Sequence, residues 1–205
     1  MGVDWLAIVQ RIRRVAEAGL AYSDGPYDRE RYHALVRLAS EIVAARTDDD
    51  VDRVEEIFRA ERGYPTPKVD VRAVVPRDGK LLLVREAADG RWALPGGWAD
   101  VGESPAEVTA REVLEETGYV VRPEKLLALL DKSRHGHPRD LWWTYKAFFL
   151  CRLTAGVATP SHETTEIGFF GADELPPLSL ERNTESQIRR MFAHLSDPSL
   201  PTDFD

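Results

Sequence analysis

Apolar residues recur at helical spacing along the first third of the chain. Asp4 to Leu20 carries Trp5, Ile8, Val9, Ile12, Val15 and Ala16. Asp28 to Ala45 carries Tyr32, Leu35, Val36, Ala39, Ile42 and Val43, and Asp50 to Ala60 carries Val51, Val54, Ile57 and Phe58. Recurrence every three or four positions puts each set on one face of a helix. Ser23-Asp24-Gly25-Pro26 and Thr47-Asp48-Asp49 interrupt the pattern, so three helices are predicted within residues 1–62. Residues 63–68 then form a connector in which Pro65 and Pro67 favour extended backbone.

From Val69 the period changes to that of strands, and a second domain is predicted over residues 69–205. Val69 to Val75 and Lys80 to Arg85 flank Arg77-Asp78-Gly79, an Asp-Gly hairpin signal. Arg91 to Leu94, Tyr119 to Val121 and Lys125 to Asp131 read as further strands, as does Leu141 to Leu153. In the last, both alternating faces are apolar enough to be covered, which suits a sheet packed between helices. Asn183 is placed to cap a final helix, Thr184 to Leu195. No internal repeat or low-complexity tract is present.

Composition narrows the function classes. The chain has 205 residues, 43% of them apolar, enough for a packed core in one medium domain or a small and a larger one. A formal charge of −8 argues against an extensive grip on nucleic acid, which needs clustered basic residues. Cys151 is the single cysteine, in an apolar run, so neither a disulfide framework nor a cysteine-based zinc site is expected. The first residues mix charged with apolar side chains, which fits neither a signal peptide nor a membrane span. Met1-Gly2 departs from the myristoylation pattern because Leu6 stands where Ser or Thr is required. A cytoplasmic location is the expectation.

The candidate chemistry lies in Gly97 to Tyr119, where Gly97, Glu103, Arg111, Glu112, Glu115, Glu116 and Gly118 stand at fixed offsets. Ser104, Pro105 and Glu107 read as N-cap, first-turn proline and capping box, so a helix should run from Pro105 to Thr117 and stop at Gly118. Glu112, Glu115 and Glu116 then share one face at i, i+3 and i+4. Ala106, Ala110, Val113, Leu114 and Thr117 form the opposite, apolar stripe. Three carboxylates on one turn repel each other unless a cation lies among them. Carboxylate oxygens suit Mg²⁺ or Mn²⁺, hard ions that keep waters and bind substrate phosphates. The plainer alternative is a solvated acidic face with Arg111 as ion-pair partner.

The spacing G-x5-E-x7-R-E-U-x-E-E-x-G-U (U apolar) is the signature that this stretch shares with the Nudix hydrolases, and the chain resembles them there, with Tyr119 where an aliphatic residue is more usual. The resemblance covers about residues 68 to 180. It implies an α+β fold, a Nudix α/β/α sandwich with a mixed sheet, here preceded by a small all-helical domain. It further implies metal-dependent cleavage of the diphosphate in a nucleoside diphosphate linked to X. In that reading Glu112 and Glu116 are principal metal ligands, Glu115 a further ligand or base, and the Gly96 carbonyl completes the shell. Glu103 pairs with Arg111, which orients carboxylates, while Gly97 and Gly118 shape the motif. The cofactor expected is Mg²⁺, with Mn²⁺ as an alternative.

The general base often lies outside the motif, and a glutamate leading into a strand often supplies a base or an extra metal ligand in such enzymes. Glu166, leading into Ile167-Gly168-Phe169-Phe170, is the first choice, with Glu163 as a second candidate for base or substrate contact; an exposed loop carboxylate is the plainer reading of both. Lys132 to Arg139 joins two strands, and Arg134, His135 and His137 are candidates to contact phosphate or X. Trp98 is the candidate for base stacking. The leading helices, Ser133 to His137, and Glu163 to Phe170 together resemble a bacterial subgroup described as ADP-ribose or CDP-choline pyrophosphatase-like, in which helical extensions often dimerise. A homodimer is therefore expected. The alternatives are a nucleoside triphosphate or RNA-end pyrophosphohydrolase, and a nucleotide-sensing regulator on an inactive fold.

Overall fold

A computed structural model describes residues 4–61 and 63–205; residues 1–3, with the Met1-Gly2 pair, and Arg62 lie outside the described residues. The chain divides into two compact units. One extends to Pro67 and takes in Arg139–Trp142; the other holds Lys68–Pro138 and Trp143–Asp205.

The first unit contains α1 (Trp5–Tyr22), α2 (Pro26–Ala44) and α3 (Val51–Ala60). Asp4 and Asp50 cap α1 and α3 by accepting from backbone N–H groups, and Pro26 opens α2. Val9, Ala16, Val36, Ala39, Val43, Val54 and Phe58 interlock as its core. Arg13 is buried among them. It pairs with Glu17 at 2.7 Å, lies over the Phe58 ring at 4.0 Å and over Trp142 at 4.6 Å. Burial raises the Glu17 carboxyl above its usual range despite Arg13. Leu141 and Trp142, expected to open a long strand of the second domain, instead belong here with Arg139 and Asp140: Asp140 and Leu141 offer their carbonyls to Gln10 and Arg13.

The second unit holds two four-stranded sheets. β1 (Lys68–Val74), β6 (Thr144–Gly156), β5 (Tyr119–Asp131) and β8 (Asp203–Phe204) form a mixed sheet in the order β1-β6-β5-β8. β1 runs parallel to β6, β5 antiparallel to β6, and β8 parallel to β5. β2 (Pro76–Arg77), β3 (Lys80–Glu86) and β4 (Trp92–Ala93) form an antiparallel sheet in which β7 (Thr164–Phe170) also pairs with β3. The Asp78-Gly79 hairpin carries positive φ at both residues, as its tight turn requires. The two predicted strands around Pro123 are one irregular strand, with register shifts on both sides of the proline, which cannot donate to a ladder.

Two helices complete this unit. α4 (Pro105–Thr117) has the predicted capping box at Ser104 and Glu107 and ends on Gly118 in the left-handed region. Its buried face is centred on Val108, Thr109, Val113, Glu116 and Thr117. Leu114, expected in the apolar stripe, is exposed, because rotating the helix to bury Glu116 swings position 114 outward. α5 (Glu185–Ser196) is capped by Thr184 rather than by Asn183. Asn183 instead accepts from Leu94 N–H at 2.7 Å, and so ties the start of α5 to the glycine loop. Cys151 is buried in the core with Val113 and Phe169, and burial pushes its thiol up to about 12, out of nucleophilic range.

Candidate active site

Four elements meet at the site: α4, β1, the end of β3 and the loop Leu94-Pro95-Gly96-Gly97. The loop lies flat along β1, with Val71 N–H donating to Gly97 O, Ala73 N–H to Pro95 O, and Ala99 N–H to Val69 O, each at 2.8 Å. Gly96 sits at φ +142, and a β-carbon there would meet Val71 O at 2.0 Å. Only glycine permits that approach. A β-carbon on Gly97 would lie 2.9 Å from Glu112 Oε2, so the second glycine makes room for a carboxylate.

On α4, Glu116 is 6% exposed and accepts from Gly96 N–H at 2.9 Å. Burial pushes its carboxyl up to about 8 despite Arg72 and that hydrogen bond, and the neighbouring Glu86 and Glu112 add to the rise. Glu112 is likewise raised by burial, against the pull of Arg111. Arg111 bonds Glu103 at 3.0 Å, Glu112 at 3.0 Å and Glu115 at 2.9 Å. Those contacts hold Glu112 and Glu115 toward the guanidinium. Consistent with that, among the described residues no three Asp, Glu, His or Cys side chains converge to hold a metal ion.

Beneath the loop lies a buried cluster. Arg72, fully buried, donates to both oxygens of Asp70 at 2.8 and 2.9 Å and to Leu94 O at 3.0 Å. Lys146 meets Asp70 at 3.1 Å. Burial alone would raise Asp70, but Arg72 and Lys146 outweigh it and hold the carboxyl at about 2. Burial lowers Lys146 to about 8.

Residues 64–195 match the NUDIX domain model, and residues 3–58 match a model described as a UDP-X-like, N-terminal oligomerisation domain. The chain is a Nudix hydrolase. It is 46% identical over 201 residues to the "Putative ADP-ribose pyrophosphatase YjhB" of Bacillus subtilis, covering 98% of this chain and 97% of that one. A crystal structure described as an ADP-ribose pyrophosphatase from Streptococcus suis superposes with a TM-score of 0.63 at 42% identity, over 68% of this chain and all of that one. Another, of a UDP-X diphosphatase, has a TM-score of 0.65 at 35% identity over 98% of each chain. This Nudix chain is thus a pyrophosphohydrolase with an amino-terminal helical region and a mixed-sheet catalytic domain. Among the described residues no helix is long and apolar enough to cross a membrane.

The residues singled out in the sequence of this Nudix hydrolase fall into two groups. Gly96, Gly97, Glu103, Arg111, Glu112, Glu115, Glu116 and Gly118 come together as one loop-and-helix unit. The remaining candidates lie on other elements. Glu166 is 54% exposed and pairs with Arg85 at 2.5 Å across β3 and β7. Glu163 is 65% exposed and faces His162 at 3.3 Å. Arg134 is exposed, 3.8 Å from Asp131, and His135 meets Asp205 at 2.9 Å. His137 Nδ1 is hydrogen-bonded to Leu180 O at 2.7 Å, and burial lowers its pKa to about 4, so it is neutral near pH 7 and its bond anchors the loop. Trp98 is half exposed and bridges to Asp70 through the backbone.

Asp70, Arg72, Glu86 and Lys146 are not anticipated from the residue pattern, and Asn183 is anticipated only as a helix cap. Charged residues at alternate positions of β1, Asp70 and Arg72, are the one signal that could have exposed part of the cluster, since such a pair inside a buried strand demands partners.

Proposed function

We propose that this Nudix hydrolase cleaves the diphosphate of a nucleoside diphosphate linked to X, of the ADP-ribose or UDP-X type, releasing a nucleoside monophosphate and phospho-X. The supporting observation is the Gly96–Glu116 junction, which fixes a buried carboxylate against the carbonyl-bearing loop of the signature. The near-full-length similarity to proteins described as acting on ADP-ribose and UDP-X favours those substrates. CDP-choline belongs to the same chemical class.

The donor set fits Mg²⁺ or Mn²⁺. Buried Glu116, Glu112 beside Gly97 and the Gly96 carbonyl offer hard oxygens, and carboxylates raised by burial are relieved by a cation. When bound, such an ion neutralises charge on the diphosphate and acidifies a water. Arg111 holds Glu112 and Glu115 in reserve, and its bond to Glu103 fixes the loop before α4. Asp70 and Arg72 brace the loop from below through Leu94 O. Glu163 and Glu166 stand as exposed candidates for a base, Glu166 needing to leave Arg85 to serve. Trp98 and Arg134 have exposed groups with which to contact base or X, while His135, partly buried, must leave Asp205 to do so. The helical region acts as a homodimerisation unit, testable by light scattering on the full chain.

The deciding experiment is a turnover panel with Mg²⁺ and Mn²⁺, products resolved by mass. It covers ADP-ribose, UDP-sugars, CDP-choline, dinucleoside polyphosphates, nucleoside triphosphates and a short 5′-triphosphate RNA. A dominant nucleoside diphosphate-X substrate yielding nucleoside monophosphate is the expected result. Preference for triphosphates or RNA ends would overturn this substrate class.

A further inference from the structure

The signature supplies its carboxylates from α4 and the loop before it. One more is buried on the strand side. Glu86, the last residue of β3, is 6% exposed, in contrast to Glu166 on the facing strand and Glu163 just before it.

The register explains the contrast. β3 and β7 pair one to one from Leu81↔Phe170 to Arg85↔Glu166, and then Glu86 faces Thr164, with Thr165 as the extra residue of a bulge. Side chains alternate along β3, so Glu86 lies on the face of Leu82 and Val84 and Arg85 on the other. Leu82, with Ile167 and Phe169, packs against Val113 of α4. The face of Glu86 is therefore the α4 face, and Arg85–Glu166 occupy the reverse. Bulges commonly re-aim side chains beside active sites.

Two further contacts fix the position. Thr164, opposite Glu86, donates its hydroxyl hydrogen to the Glu116 carbonyl at 2.6 Å, so the bulge is tied to the turn of α4 that carries Glu116. Glu86 N–H donates to Arg91 O at 2.8 Å, and its carbonyl accepts from Gly90 N–H at 2.9 Å, so its backbone is fixed at both ends. Its carboxylate has an ion pair with Arg182 at 3.3 Å, from a guanidinium that is itself 37% exposed. The buried guanidinium of Arg72 is already committed to both oxygens of Asp70. Arg182, partly exposed, only partly offsets the cost of burying Glu86, and a cation shared with Glu116 would relieve both carboxylates.

We propose that Glu86 is a ligand of the catalytic divalent cation, acting with Glu116 from the strand side of the site. This rests on the metal-dependent reading above. Two carboxylates with waters and substrate phosphates are a sufficient set for Mg²⁺ or Mn²⁺. The role often filled by a carboxylate outside the signature thus falls to Glu86 rather than to Glu166.

The test is Mn²⁺ binding to the full chain, followed by calorimetry and by the electron paramagnetic resonance of free Mn²⁺, with wild type, Glu86→Gln and Glu166→Gln. Glu86→Gln should lose one equivalent of Mn²⁺ or bind it at least about tenfold more weakly, with an unchanged circular dichroism spectrum. Glu166→Gln should match wild type. Glu86→Asp, which keeps the charge and draws the oxygens back, should weaken binding measurably, and it provides the readout if the Gln variant misfolds. Superimposable isotherms for wild type and the Glu86 variants would overturn the inference while leaving the hydrolase reading intact. A wild-type chain that neither binds Mn²⁺ nor turns over any diphosphate would overturn both.

Discussion

Gly96 N–H and Glu116 Oε2 lie 2.9 Å apart, so the glycine loop and α4 are joined at a carboxylate. That junction depends on backbone a side chain would obstruct. Gly96→Ala would place a methyl 2.0 Å from Val71 O at a φ that L residues rarely adopt. The loop must then shift off β1, at a cost of about 2 kcal/mol. Displacing the loop by about 1 Å should reduce kcat/KM roughly hundredfold. Steady-state kinetics with a melting curve checks this, and near-normal activity would show that the loop does not position the reacting groups.

Glu116→Gln separates chemistry from folding. Gln can still accept from Gly96 N–H, but it carries no charge for a cation. Turnover should fall by about 10³ or more, in line with losing a central charge-stabilising group. The metal-free variant should melt no lower than wild type, because a buried carboxylate held up near 8 weakens the fold when ionised. Full activity in this variant would remove Glu116 from the mechanism.

Arg111 bonds Glu103, Glu112 and Glu115 through Nε and one terminal nitrogen. Arg111→Ala should therefore loosen the loop before α4 and release two carboxylates at once. The expected result is a drop in kcat of about tenfold to a hundredfold with KM less affected, as for other groups that orient ligands. Stability should change by only about 1 kcal/mol, since these pairs are partly solvated. Arg111→Lys should recover little, because a single ammonium cannot reproduce the fork. Wild-type kcat in both variants would assign Arg111 to the surface.

Much of this was legible in the residue order, for physical reasons that differ by element. Ser104, Pro105, Glu107 and Gly118 encode a helix locally, so α4 could be read to the residue. Glu112, Glu115 and Glu116 follow from its period. Glu86 could not be found that way, because its burial depends on a bulge at Thr165 of β7 and on which face of β3 meets α4. Asn183 misled for a related reason. It has the chemistry of an N-cap, but Leu94 N–H, 89 positions earlier, takes its oxygen and leaves the cap to Thr184. Leu114 misled because an apolar residue was assigned to the core while the fold buried a glutamate.

In the helical unit, Arg13 is a buried cation with two carboxylate partners, Glu17 at 2.7 Å and Glu61 at 3.4 Å. Arg13→Ala leaves Glu17 buried without its principal counter-charge and removes the contacts over Phe58 and Trp142. A loss of about 3 kcal/mol is expected. Changing Glu17 to Gln in the same chain should restore part of it, since the stranded charge is then gone. Chemical denaturation of wild type, the single and the double variant measures both effects, and a loss below about 0.5 kcal/mol would count against this buried pair.

Asp203 supplies a pH-dependent prediction away from the active site. It accepts from Arg190 Nε and a terminal nitrogen, both at 2.6 Å, and meets His194 Nε2 at 2.9 Å. The hydrogen bonds from Arg190 hold its carboxyl down at about 2, against a usual 3.8. Between those values the unfolded chain binds more protons than the folded one, so stability rises with pH across that window. The contribution is fully present above about 3.8 and is lost as pH falls through about 2. Asp203→Asn should therefore melt a few degrees lower near neutral pH, roughly 3 °C for a chain of this size. The gap should close as both proteins are taken from pH 5 toward pH 2. A gap of constant size across that range would mean that packing of β8, and not the charge on Asp203, carries the effect.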